Sequence, residues 1–124
     1  MTSVFIKQAF LQRCLRDKQG VKAPETVGEV CDTIHKSMTF FQLEAIELME
    51  EIAGSKDILK PWKENHAYVA SQQFKTSDSI KSEAMDVLCF ALNICLLAGI
   101  TPTNIDQEYQ KVWDKNIDRC RNGY

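Results

Sequence analysis

The sequence predicts an all-α fold, a bundle of four to five helices. Three observations carry that expectation. Stretches free of glycine and proline repeat apolar residues at close to the helical period, N-cap formers and glycines bracket those stretches, and no apolar–polar alternation is long enough for a strand.

The elements follow in chain order. Val4 to about Asp17 reads as a helix with Phe5, Ala9 and Leu11 to Leu15 apolar, broken by Gly20 to Pro24. Val27 to Ile34 carries a weaker pattern, read as a short helix. From about Met38 to Ala53 the apolar residues Phe41, Ala45, Leu48, Met49 and Ile52 recur at helical spacing, and Gly54 supplies the residue that commonly follows a helix end. Residues 55–77 hold Pro61, many polar groups and two aromatics, so they read as a loop with at most short helical turns. Asp78 to Ala98 starts behind Thr76-Ser77-Asp78-Ser79, carries Ile80, Ala84, Val87, Leu88, Ala91, Ile94 and Cys95 on a wide stripe, and stops at Gly99. The last helix runs to about Arg121, with Asn104 as N-cap and Gln107 at capping-box spacing.

Composition narrows the function classes. The chain has 124 residues, 44% of them hydrophobic and 26% charged, which suits one domain with an ordinary core. Its 15 basic and 17 acidic residues give a formal charge of −2, so neither nucleic acid nor an anionic membrane is the expected partner. The five cysteines (Cys14, Cys31, Cys89, Cys95, Cys120) include no C-x-x-C pair, which argues for buried reduced thiols rather than a disulfide scaffold or zinc ribbon. The longest apolar run, Val87 to Ile100, is too short to span a bilayer, and the N-terminus lacks a signal-peptide core. The expectation is a cytoplasmic protein.

The informative feature is where the acids fall. Glu44 and Glu47 are three apart and share a helical face, and Glu83 and Asp86 repeat that spacing at the start of the most apolar stretch. Like charges beside a core are costly unless something positive sits between them. If the two helices pack antiparallel, four carboxylates can converge in an all-oxygen nest suited to Mg²⁺ or Mn²⁺. The E-x-x-H of di-iron bundles is missing, since His35 and His66 lie outside both acid pairs' helices as read here. The plain alternative is a set of solvated helix faces, and Glu50 and Glu51 leave the register of the first pair open.

Glu44-Ala45-Ile46-Glu47-Leu48-Met49-Glu50, Lys60-Pro61-Trp62-Lys63 and Glu83-Ala84-Met85-Asp86-Val87-Leu88-Cys89-Phe90 together resemble the all-α nucleoside triphosphate pyrophosphohydrolases. That superfamily includes MazG-like enzymes and the dimeric dUTPases. Leu11-Gln12-Arg13-Cys14-Leu15-Arg16-Asp17 and the Lys-x-Trp-Lys element are most similar to the dUTPase branch, and Lys115-Asn116 with Arg121-Asn122-Gly123-Tyr124 is similar to its C-terminus. The resemblance implies that Glu44, Glu47, Glu83 and Asp86 hold magnesium on the triphosphate, and that Glu44 polarises the attacking water. It further implies phosphate contacts from Lys60 and Lys63, stacking by Trp62, base reading by Gln12, and substrate contacts from Arg16, Lys115, Asn116, Arg121 and Tyr124.

The resemblance makes dUTP the first substrate expected, and Arg16, which stands where the dUTPase branch usually has an asparagine that helps select uracil, keeps dCTP, dGTP or a broad range open beside it. Phe40, Phe41 and the Leu96-Leu97 side of the long helix are too numerous for a lone bundle, which favours a homodimer or homotetramer. A non-catalytic helical interaction module is the competing class; it predicts that the four acids are dispensable.

Overall fold

The computed structural model describes residues 2–123. Its helices, in order, are α1 (Thr2–Gln19), α2 (Val27–Ala53), α3 (His66–Ala70), α4 (Asp78–Leu97) and α5 (Ile105–Asn122), with a 3₁₀ turn at Lys56–Leu59. Among the described residues there is no strand, so the all-α class stands. No described helix is long and apolar enough to cross a membrane.

α2 is one continuous helix, where the sequence pattern predicts a short helix followed by a longer one. Its start is fixed by Thr26, whose Oγ1 accepts from the Glu29 backbone N–H (3.1 Å) and donates to the Glu29 carboxylate (2.9 Å). Its end is Gly54, at φ +67°, a left-handed conformation that a side chain would strain. α4 begins the same way, with Ser77 Oγ accepting from Ile80 N–H (3.1 Å), and closes at Gly99 (φ +97°), where the Ile100 N–H reaches back to the Cys95 carbonyl (3.0 Å).

The start of α5 differs from the expected capping box. The Asn104 side chain does not cap the helix; its Oδ1 accepts from the Thr101 N–H (2.8 Å) and its Nδ2 donates to the Gly99 carbonyl (3.4 Å). The turn Thr101-Pro102-Thr103 needs those partners, and it wins the side chain from the helix.

The chain forms two compact units, Met1–Thr33 with Leu92–Tyr124, and Ile34–Ala91. In the first, Phe5 is fully buried and Leu92 and Ile105 nearly so, each such side chain favouring the fold by about 1.5–3 kcal/mol. Gln8 is buried with them, and it stays polar at little cost because its Nε2 donates to Asn93 Oδ1 at 2.7 Å. In the second unit the rings of Phe40 and Phe90 stack with centroids 5.7 Å apart. α3 packs on the 3₁₀ turn: Val69 is buried and His66 Nε2 donates to the Ile58 carbonyl (3.1 Å). Segment 55–77 is thus a loop with two short helical turns, as its composition predicts.

All five cysteines are free, but Cys14, Cys31 and Cys120 are exposed rather than buried. The expectation of buried thiols holds only in part, for the half-buried Cys89 and Cys95 on α4.

Candidate metal centre

The second unit brings the acid-bearing parts of α2 and α4 together. Glu44, Glu83 and Asp86 each offer a carboxylate oxygen, and those oxygens all lie within 4.8 Å of one another. Three-residue spacing puts Glu83 and Asp86 on one face of α4, and the α2 face bearing Glu44 completes the trio.

The electrostatics of this cluster are unresolved by protein groups. Oε2 of Glu44 and Oε2 of Glu83 are buried and have no hydrogen-bond partner. A buried carboxylate oxygen left in that state is costly. Desolvation pushes the Glu44 carboxyl above its ordinary 4.5, and Glu47, both by its charge and by hydrogen bonding, raises it further, as do the charges of Asp86 and Glu83. Glu83 is raised for the same first reason, then by Asp86, Glu47 and Glu51. The ion pairs formed among the described residues, Lys22–Glu25 and Lys111–Glu108, lie elsewhere on the chain.

A divalent cation fits what these residues lack. Magnesium binds oxygen at about 2.0–2.1 Å in an octahedron, so oxygens on one ion lie from about 2.9 Å (adjacent) to about 4.2 Å (opposite) apart. Oxygens within 4.8 Å of one another come onto one ion by rotation of the side chains that bear them. The donor set is all carboxylate, hard-ligand chemistry that excludes a preference for zinc or copper.

Glu47 stands beside the trio, close enough for its charge to act on both Glu44 and Glu83. It is exposed and stands outside the trio, lining an open groove of about 490 Å³ together with Glu50, Glu51, Ser55, Lys56 and Glu83. Glu83 belongs to both trio and groove. Lys56 is the cation in the groove wall, and the sequence reading passed it over in favour of Lys60 and Lys63. Its signal was local: Lys56 follows Gly54-Ser55, and the Ser55 hydroxyl accepts from Asp57 N–H (3.1 Å) to start the 3₁₀ turn there.

Lys60 is half-buried, whereas Trp62 and Lys63 are exposed, the indole at 75%; none of the three lines the groove. Gln12 and Arg16 are half-buried on α1, and Lys115, Asn116 and Arg121 are exposed on α5. These five belong to the other compact unit. Tyr124 lies outside the described residues. On α5 Lys111 is tied to Glu108 by a 3.0 Å ion pair.

No family model, no curated protein and no solved structure matches the chain. The fold and the cluster define a class only: an all-helical chain in which three carboxylates of α2 and α4 meet.

Proposed function

We propose that the protein is a Mg²⁺-dependent nucleoside triphosphate pyrophosphohydrolase, with Mn²⁺ able to substitute and dUTP the first substrate to try. The observation that carries this reading is the meeting of Glu44, Glu83 and Asp86, two of them with buried oxygens that no protein group satisfies. Water adds across the α–β anhydride and yields the nucleoside monophosphate and pyrophosphate. The bound metal supplies charge neutralisation on the phosphoryl oxygens and lowers the pKa of coordinated water.

The chain's own residues do the rest. Glu83 and Asp86 on α4, together with Glu44 on α2, would hold the cation. Glu44, the residue the resemblance assigns to polarising the attacking water, would accept its proton. Glu47 borders the groove beside the trio and extends its negative lining. Trp62, with its indole uncovered and lysines on either side at positions 60 and 63, provides a face for a nucleobase. dCTP, dGTP and a broad (d)NTP range use the same centre, because nothing in a carboxylate trio reads the base.

The test is a pyrophosphate-release screen over the common ribo- and deoxynucleoside triphosphates, with Mg²⁺ and with chelator. Metal-dependent release from one or more triphosphates is the expected result. No release from any of them, at any metal concentration, refutes the proposal.

A further inference from the structure

The inward face of α1 turns polar beyond Phe5. From Ser3 to Gln19 the residues that are not exposed are Phe5, Gln8, Ala9, Gln12 and Arg16, which share one face at helical spacing. Phe5 is fully buried and Gln8 is 7% exposed. Gln8 Nε2 donates to Asn93 Oδ1 at 2.7 Å, and neither side chain makes another hydrogen bond among the described residues. Both residues belong to the first compact unit. Each amide carries a donor group and an acceptor group, so this bond uses one of each. The carbonyl oxygen of Gln8 and the amino group of Asn93 are left over. Both keep access to solvent, unlike the enclosed carboxylate oxygens of Glu44 and Glu83. An amide as buried as Gln8 and only half satisfied is costly unless something else pairs with it.

We propose that Gln8 and Asn93 bind the edge of a pyrimidine base, and that they take uracil and cytosine alike. Uracil offers its N3–H donor beside its O4 acceptor. Gln8 Oε1 accepts from N3–H, and Asn93 Nδ2 donates to O4. Cytosine reverses both groups: its N3 accepts and its N4 amino group donates. Turning both amides over together reverses the bond between them, so that Asn93 donates to Gln8. The pair then presents a donor to N3 and an acceptor to N4, the ring keeps its pose, and no hydrogen bond is lost. The observation that carries the inference is that no third group among the described residues fixes the sense of either amide. A trans peptide does not fit the pair, because its N–H and C=O point opposite ways. Gln12, to which the resemblance gives base reading, is half-buried one turn beyond Gln8 on the same face. The inference rests on the proposed function for its class of ligand, a nucleotide, and adds which bases are accepted.

Nucleotide titrations followed by NMR, on the full chain in EDTA, test it without metal or turnover. dUMP and dCMP should bind with dissociation constants within about tenfold of each other, whereas a reader fixed in one sense separates them by about a hundredfold or more. N3-methyl-dUMP, its donor replaced by a methyl group, should bind at least about tenfold more weakly than dUMP. These probes act on the unaltered chain, so they decide the matter even where a variant fails to fold. In Gln8→Leu both nucleotides should weaken together, by about tenfold. Binding of neither nucleotide overturns the proposal, as does a larger preference for one of them. So does N3-methyl-dUMP binding as well as dUMP, or a folded Gln8→Leu that binds both undiminished. Pyrophosphate release is read separately. A chain that binds dUMP and dCMP alike but releases no pyrophosphate from any triphosphate refutes the proposed function and leaves the pair. One that hydrolyses dUTP but does not bind dCMP refutes the pair and leaves the function.

Discussion

Replacing Glu83 by glutamine separates the cost of the carboxylate cluster from its use. Glu83 has a buried, partnerless oxygen and a carboxyl raised above its ordinary 4.5 by burial, then by Asp86, Glu47 and Glu51. Glutamine keeps the shape and removes the charge. In the metal-free protein the substitution should raise the melting temperature, since the repulsion goes with the charge. With the proposed site in the wild type, magnesium at a hundred times its dissociation constant should stabilise the folded chain by about 2.7 kcal/mol. For a domain of this size that corresponds to a rise of about 10 °C. E83Q should lose most of that rise, having lost one of three charged ligands.

The pH dependence gives the same test a sign. Glu44 and Glu83 bind protons more tightly folded than unfolded, so between 4.5 and their raised values the native state holds more protons. Stability of the metal-free protein therefore falls as pH rises through that interval and returns on acidification. Magnesium competes with those protons, so its stabilising effect grows as pH rises. The metal-free and metal-loaded melting curves should diverge with increasing pH in the wild type and run much closer in E83Q. Calorimetry in EDTA and in MgCl₂ reads both. An E83Q protein that melts lower without metal and keeps the full magnesium gain would refute the reasoning.

Three further outcomes are expected. Glu47→Ala and Asp86→Ala should each abolish pyrophosphate release with far-UV ellipticity unchanged; retained release in Asp86→Ala counts against the trio, and in Glu47→Ala against a role for the groove beside it. Trp62→Ala should leave the melting temperature where it is, because the indole is 75% exposed, and should raise KM more than it lowers kcat; a fall in kcat at constant KM contradicts stacking. Leu92→Ala, at 4% exposure in the core of the first unit, should cost about 2–5 kcal/mol in urea unfolding, and a loss below about 1 kcal/mol would mean that this core does not hold the unit together.

The helices and most of their ends were legible because they are set by local chemistry. Ser77, Gly54 and Gly99 mark boundaries that the backbone adopts. The continuity of α2 was not, because the polar run His35-Lys36-Ser37 interrupts the apolar period between Ile34 and Met38. The Thr26–Glu29 cap was in the sequence, followed by Gly28 in the first turn, a poor helix former that weakened the signal. Asn104 has the right spacing for a capping box, yet spacing is silent about a competing turn three residues upstream. Of the four acids, spacing found the three that meet. It could not place Glu47, because the face of α2 that turns to α4 depends on packing among half-buried residues rather than on the order of the acids.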